Sequence, residues 1–183
     1  MTLRSSTTNV SRVSLIGCPC SVGSYVAGQD LAPAAHRSSG LGRTLAQMGL
    51  EVRDHGDTPA QVWRPDRESP RAQNVSEVVA GLELLIERID PILASGDTML
   101  VVGGNCLIAL AVVVGLRRLG AGTPGLLYVD RHYDMNTPQS TNDGALDWMG
   151  LAHGLALPGA VDAVVAALGE PPSSSRSRWA GSA

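Results

Sequence analysis

Short apolar segments alternate with helical patterns along this chain, and that alternation limits the possible folds more than any other feature. Segments that read as strands lie at residues 13–17, 51–54, 99–102 and 125–129, and all but the charged residues 51–54 are mainly apolar. Apolar side chains at helical spacing separate them, at residues 33–49, 75–89 and 107–119. Because the strands are short and apolar, we expect a buried parallel sheet. The order therefore predicts an α/β fold in which helices cover the sheet.

The two ends of the chain differ from its middle. Residues 1–11 are polar and lack the apolar core of a signal peptide, so we expect a flexible N-terminus. Residues 169–183 are rich in Ser, Arg and Pro without periodicity, which predicts a disordered tail. The expected domain is residues 12–168.

Composition excludes several classes of protein. A net charge of −3 argues against a nucleic-acid partner, because such modules carry a basic face. The longest apolar run, Leu107 to Leu116, is too short to span a membrane. Three cysteines, Cys18, Cys20 and Cys106, cannot form the disulfide framework of a secreted fold. We therefore expect a soluble cytoplasmic protein without nucleic-acid or membrane partners.

Three chemically informative side chains follow the fourth predicted strand. Asp130, His132 and Asp134 alternate where residues 125–129 end. In an open α/β sheet, ligands gather at the carboxyl ends of the strands. Two carboxylates and an imidazole at this spacing can converge on a divalent metal, although the same pattern is also typical of a solvated turn.

A second signal follows the third predicted strand, at Gly103-Gly104-Asn105-Cys106. Two glycines allow a sharp turn, and Cys106 then opens the next helix. We expect the helix dipole to lower the pKa of this thiol, which would make it a metal ligand or a nucleophile. An inert cysteine after a simple turn is the alternative. Because the two signals end successive strands, a metal site is favoured.

Together these segments resemble the arginase family of metal-dependent ureohydrolases, which includes arginase, agmatinase and formimidoylglutamase. That family has Gly-Gly-Asp-His at one strand end and Asp-Ala-His-x-Asp at the next, and the matching segments here are residues 103–106 and 130–134. The Asn-Thr-Pro of arginases is present at residues 136–138. Residues 16–21 are similar to the family's opening strand and loop, and residues 54–57 to its Asp-x-Gly-Asp. The resemblance covers residues 12–168.

The resemblance implies a three-layer α/β/α arginase-like fold and a pair of manganese ions. In the family a metal-bound hydroxide attacks the guanidinium carbon of a small guanidino substrate and breaks its C–N bond. The implied metal ligands are Asp130, His132, Asp134 and Cys106, the last in place of a histidine. A thiolate suits zinc, iron or cobalt better than manganese. The family also implies a homo-oligomer.

Further positions follow from the same resemblance. Asn136 and Thr141 lie where arginases hold the substrate's α-carboxylate, and Asp143 replaces a serine there, where it would repel a carboxylate. Asp147 replaces a histidine proposed as a proton shuttle, and a solvated loop aspartate is the other interpretation. We expect His153, in an apolar stretch, to be structural.

One family element is missing from the sequence. The family's later Asp-x-Asp ligand pair has no counterpart, since the last aspartate is Asp162. In the family's sheet, the last two strands lie between the third and the fourth, so residues 99–102 and 125–129 would lose the strands that join them. We therefore expect a C-terminally truncated member, only the N-terminal part of the fold, with a shifted reading frame after residue 168. Such a chain is expected not to turn over substrate.

Three hypotheses follow. The first is an arginase-family hydrolase of a guanidino C–N bond. The second is a non-catalytic degenerate fragment that at most binds metal or a partner. A nucleotide-binding module is disfavoured, because the chain lacks both Gly-x-Gly-x-x-Gly and the lysine of a P-loop.

Overall fold

A parallel sheet of three strands lies at the centre of the computed structural model, which describes residues 11–120 and 124–169. The strands are β1 (Arg12–Cys18), β2 (Glu51–Asp57) and β3 (Thr98–Gly103). Their order is β2-β1-β3, and both neighbouring pairs are parallel. The predicted α/β fold with a parallel sheet is thus confirmed, and its first three strands lie where the sequence predicts them. The expected flexible N-terminus and disordered tail lie outside the described residues, apart from Ser11 and Gly169.

Six α-helices are present in the described part of the chain. They are α1 (Ala32–Ser38), α2 (Leu41–Gln47), α3 (Val75–Ala94), α4 (Ile108–Arg118), α5 (Gly150–Gly154) and α6 (Asp162–Leu168). Short 3-10 helices occupy Gln29–Leu31 and Leu146–Met149. The single helical pattern at residues 33–49 forms two helices, because Gly40 has a φ of 91° and interrupts the helix.

The side chains of β1 alternate between two apolar layers. Ile16 and Cys18 belong to the main core with α3 and α4. Val13 and Leu15 are buried on the other face. On that face Gly17 lies against Pro33 of α1, because a Cβ at position 17 would come within 2.9 Å of the proline. Helices therefore cover both faces of the sheet.

Helix α3 supplies the widest apolar stripe of the core. Its buried side chains follow helical spacing, as the sequence predicts: Val78, Leu82, Leu85, Ile86, Ile89 and Ile92. Asn74 directly precedes the helix but does not cap it with its side chain. Its amide instead donates to the carbonyl oxygens of Val22 and Arg64, at 3.3 and 3.1 Å. Asn74 therefore fastens α3 to the loop that follows β1.

The turn after β3 approaches the loop after β1 very closely. A Cβ on Gly104 would lie 1.7 Å from the carbonyl oxygen of Cys20, so only glycine fits there. The backbone N–H of Gly104 donates to Cys18 O at 3.1 Å, and that of Asn105 donates to Cys20 O at 3.0 Å. These bonds fix the position of the residues that lead into α4.

The prediction of a fourth strand at residues 125–129 is wrong. Residues 124–130 have no regular secondary structure. A strand needs a neighbour that shares its ladder of hydrogen bonds, and no described strand lies beside this segment. Leu127 and Val129 are each 89% exposed, although the apolar sequence indicated burial. The described sheet therefore ends at β3.

Candidate metal centre

Three potential metal ligands meet beyond the carboxyl end of β3. One ligand atom from each of Cys106, Asp130 and Asp134 lies within 4.8 Å of the others. The Cys106 thiol donates to Asp130 Oδ2 with Sγ and oxygen 3.6 Å apart. Within the described ranges this is the one group of three such side chains. Three of the four predicted ligands are therefore brought together, even though residues 125–129 do not form a strand.

Cys106 is held by the turn that precedes α4. It lies two residues before Ile108, where that helix begins. Its backbone N–H donates to Asp147 Oδ1 at 2.9 Å. The neighbouring Asn105 side chain accepts from Leu107 N at 3.2 Å and donates to Cys20 Sγ at 3.2 Å. The thiol is thus presented by a turn whose polar groups are paired.

Asp134 is the buried member of the cluster, at 3% exposure. Its backbone has a φ of 49°, in the left-handed region, which a short polar residue tolerates better than most. The Tyr128 hydroxyl donates to Asp134 Oδ2, and the N–H of Ala152 donates to the Asp134 carbonyl at 3.1 Å. The bond from Tyr128 orients the Asp134 carboxylate, and the bond from Ala152 holds the loop against α5.

The electrostatics of the cluster contradict the expected activation of the thiol. Burial raises the pKa of Cys106 to about 12, and the charges of Asp147, Asp134 and Asp130 add to that effect. The helix dipole was expected to lower it, but burial and three nearby carboxylates together disfavour a thiolate more strongly. Without a cation, Cys106 is therefore a neutral thiol.

The two cluster carboxylates respond to different surroundings. Burial raises the pKa of Asp134, and the charge of Asp130 raises it further. A hydrogen bond from the His132 N–H, 2.8 Å from Asp130 Oδ1, lowers the pKa of Asp130. Burial and the bond to Asp134 raise the pKa of the Tyr128 hydroxyl. The cluster therefore concentrates acidic groups whose mutual repulsion a bound cation would reduce.

The ring of His132 lies outside the three-residue cluster. It meets the indole of Trp148 edge-on, with ring centroids 4.9 Å apart and planes at 79°. Its Nδ1 is 3.6 Å from Asp130 Oδ1. The structure thus places this predicted ligand beside the cluster rather than within it.

Asp147 is buried rather than solvated, so the alternative of a solvated loop aspartate is wrong. It is 3% exposed, and its Oδ2 accepts from Ser24 Oγ at 2.7 Å. Its other oxygen binds the N–H of Cys106. Burial raises the pKa of this carboxyl group, and the two donors oppose the rise. Asp147 therefore connects the loop after β1 to the thiol's turn.

The predicted substrate-binding residues bond within their own loop. Thr141 Oγ1 donates to Asp143 Oδ1 at 3.1 Å, and Trp148 Nε1 donates to Asp143 Oδ2 at 2.9 Å. Asn136 Oδ1 accepts from Ser140 Oγ at 3.0 Å. These contacts build a braced loop next to the cluster.

His153 is 1% exposed, and its Nδ1 donates to Met149 O at 2.6 Å. Burial lowers its pKa, which keeps the ring neutral. These contacts fit the expected structural role. Sequence reasoning missed two other residues: Tyr128, the lone polar-tipped side chain in an apolar segment, and Ser24, which no pattern marked.

The donor set of the cluster fits one divalent ion. Two carboxylate oxygens suit a hard or borderline metal, and a thiolate shifts the preference toward zinc, cobalt or iron. Three protein donors with an open position are also typical of catalytic zinc sites. The partly exposed Cys106 and Asp130 leave that position accessible.

Comparison with known proteins gives a consistent result. The model of the arginase family matches residues 11–167. An arginase of Brevibacillus brevis is 30% identical over 143 residues, which cover 78% of this chain and 48% of that protein. Human Arginase-1 is 30% identical over 134 residues, covering 73% and 41%. The chain thus spans about half the length of the curated relatives it matches.

Solved structures extend the comparison to the fold. The native arginase structure from Bacillus caldovelox matches with a TM-score of 0.74 at 26% identity, over 88% of this chain and 54% of that chain. A structure of Bacillus subtilis arginase matches with a TM-score of 0.72 at 28% identity, covering 88% and 52%. Within the described ranges, no helix combines the length and the apolar character that a membrane crossing needs.

Proposed function

This chain belongs to the arginase family, and on that premise we propose that it hydrolyses the C–N bond of a guanidino compound with the help of a divalent metal. The observation that carries the proposal is the convergence of Cys106, Asp130 and Asp134 beyond β3. Its curated relatives are named arginases. Activity is proposed against the expectation that a truncated member does not turn over substrate, because three of the predicted ligands converge even in a chain that spans about half of the relatives' length.

The three cluster residues would hold one ion, with zinc, iron or cobalt preferred over the family's manganese because of the thiolate. When bound, such an ion would supply Lewis-acid polarisation of the substrate and a lowered pKa for its water. His132 stays a predicted fourth ligand, since its Nδ1 lies next to Asp130.

Residues of this chain would prepare the site in two ways. Asp147 holds the backbone N–H of Cys106, which fixes where the thiol points. The Tyr128 hydroxyl orients the Asp134 carboxylate. In other proteins, residues that hydrogen-bond to a metal ligand fix the position of that ligand, and their loss typically lowers metal affinity about 10–100-fold. We therefore assign Tyr128 and Asp147 positioning roles, and the proton-shuttle role of Asp147 stays a prediction.

Acidic side chains around the site favour a cationic substrate. Asp130, Asp134 and Asp147 would attract a guanidinium group. Asp143 stands beside Thr141, where the resemblance to arginases places a substrate carboxylate, and its charge would repel one. We therefore propose that a guanidino amine is preferred to a guanidino acid, with Asn136 and Thr141 as further contacts.

A second candidate function is metal binding without turnover. It is favoured by the position of His132, whose ring contacts Trp148 instead of joining the cluster. In that case the chain would bind one ion and release no urea.

The test measures metal binding and urea release in the same preparation. Zinc and manganese are titrated calorimetrically, and urea is measured with agmatine, arginine and guanidinobutyrate. We expect one zinc per chain, a binding constant at least tenfold lower in Asp134→Asn, and more urea from agmatine than from either acid. The control is Glu83→Gln on the exposed side of α3, which should change neither quantity.

The outcomes separate the two candidates. Urea release that depends on Asp134 supports the hydrolase. Zinc binding that depends on Asp134 without any urea supports the second candidate. Protein that binds no divalent metal refutes both.

Three broader expectations are also proposals. We propose that residues 12–168 form the folded unit, which limited proteolysis would test. A homo-oligomer is implied by the family resemblance, and sedimentation would test it. A cytoplasmic location would be tested by fractionation.

A further inference from the structure

A separate cleft lies toward the amino-terminal ends of β1 and β3, away from the metal cluster. It has a volume of about 390 Å³, and its polar lining comprises Ser14, Arg53, His55, Arg88, Ser95 and Asp97. Ser14 pairs in register with Met99 near the start of β3, whereas Cys106 follows the end of that strand. The four-residue rise from Met99 to Gly103 separates the two regions by roughly 13 Å along the strand. The cleft is therefore distinct from the proposed metal site.

Most charges at this cleft are already paired. The Asp97 side chain is 1% exposed and lies 2.8 Å from Arg12 Nε and 3.7 Å from an Arg53 Nη1. The same Arg53 guanidinium also contacts Glu51 at 2.9 Å. Two arginines thus face two carboxylates, and their charges balance.

Arg88 adds a positive charge that no carboxylate balances. Its Nη2 donates to the main-chain carbonyl of His55 at 3.1 Å. No carboxylate in the described part of the chain lies within 4.0 Å of its guanidinium nitrogens. A carbonyl oxygen is neutral, so the bond holds the side chain in place and leaves its full charge. The cleft therefore carries one guanidinium in excess.

Beside Arg88, the wall of the cleft is fixed by a chain of hydrogen bonds through Ser14, His55 and Asp97. The Ser14 hydroxyl donates its one proton to Asp97 Oδ2 at 3.0 Å. Because that proton is used, the contact of 3.0 Å between His55 Nε2 and Ser14 Oγ must have the imidazole as donor. The His55 ring is thereby held in one tautomer and one orientation, so the cleft is formed before any ligand arrives.

We propose that this cleft binds a small monocarboxylate. The carboxylate would meet Arg88, whose planar fork matches its two oxygens, and a short carbon chain would lie against Pro91 and Ile92. One negative charge matches the one guanidinium in excess, whereas a phosphate dianion would exceed it. A volume near 390 Å³ is in the usual range of small-molecule sites.

The test uses butyrate as the probe and the full ¹⁵N-labelled chain. We expect saturable shifts of the Arg88 Nε–H signal and of the His55 and Ser95 amides. Arg88→Gln should weaken butyrate binding at least tenfold, because it removes a charge-assisted bond. Arg43→Gln, in α2 and away from the cleft, is the matched control and should bind as the parent does. Zinc titration of both variants reports on the metal cluster separately.

Three results would overturn the proposal. In the first, the NMR shifts caused by butyrate do not saturate, or they are equally large at Arg43. The second is butylamine binding as well as butyrate, which would show that the carbon chain alone is recognised. The third is inorganic phosphate binding more tightly than butyrate. Because the shifts are read in the unmutated chain, the test stands even if Arg88→Gln fails to fold.

Discussion

Raising the pH of the metal-free chain should expose the unusual state of the Cys106 thiol. Burial and the nearby carboxylates of Asp147, Asp134 and Asp130 raise its pKa from 9.0 to about 12. A thiol is neutral below its pKa, so the thiolate fraction should climb tenfold per pH unit from pH 7 to about pH 11. An ordinary thiol would level off near pH 9.

The size of the effect follows from two opposing factors. A rise from 9.0 to about 12 lowers the thiolate fraction near neutral pH by about 10³. A thiolate of higher pKa is also more nucleophilic, by about 15- to 30-fold for a Brønsted slope of 0.4–0.5. The net expectation is that Cys106 reacts about 30- to 60-fold more slowly with a small neutral disulfide than the same residue does in the unfolded chain.

The assay follows the mixed disulfide at Cys106 by peptide mass spectrometry, with the chain in denaturant as the reference. Cys18 and Cys20 are buried and should react more slowly still. Asp134→Asn removes one nearby charge and should speed the reaction, whereas Asp162→Asn on α6 should not. A rate that levels off by pH 9, or that equals the unfolded rate at pH 7, would refute the electrostatic reasoning.

Four substitutions test the fold and the residues that support the site. Gly104→Ala should lower the free energy of unfolding, measured with urea, by about 3 kcal/mol, because its Cβ would lie 1.7 Å from a backbone oxygen of the loop after β1. The control is Gly42→Ala on α2, where a Cβ meets open space, and it should raise the free energy of unfolding by about 0.5–1 kcal/mol. Leu85→Ala should cost about 2–5 kcal/mol in the same assay, since that side chain is 0% exposed; a loss below 1 kcal/mol would contradict the core described above. Tyr128→Phe should weaken calorimetric zinc binding at least tenfold by removing the donor to Asp134, and unchanged affinity would contradict that role.

The parts of the fold that depend on local pattern could be predicted from the sequence. Residues 13–17 form a strand because they are buried at the centre of the sheet, and the half-buried residues 99–102 form the strand that pairs with them. Helix α3 follows from the spacing of its apolar residues. Residues 125–129 share the apolar pattern but not the neighbour, and pattern alone could not reveal that difference.

The candidate site could likewise be predicted only in part from the sequence. Cys106, Asp130 and Asp134 could be placed together, because chemistry at strand ends and the resemblance to arginases pointed to the same edge. The orientation of the His132 ring toward Trp148 depends on side-chain packing, which residue spacing does not encode. The pKa of Cys106 was predicted in the wrong direction, because neither the burial of the thiol nor the approach of Asp147 from a distant part of the chain was visible in the sequence.

The unpaired segment at residues 124–130 would give a bound metal ion a structural role as well. It leads directly into Asp130, and no β-ladder among the described residues holds it to the sheet. An ion bound by Cys106 and by Asp130 would therefore act as a clasp between β3 and this segment, in place of interstrand hydrogen bonds. Binding free energy would then be spent partly on ordering the backbone. We expect a chelator to make residues 124–130 the first place where a protease cuts, so that metal supply would control the lifetime of the protein.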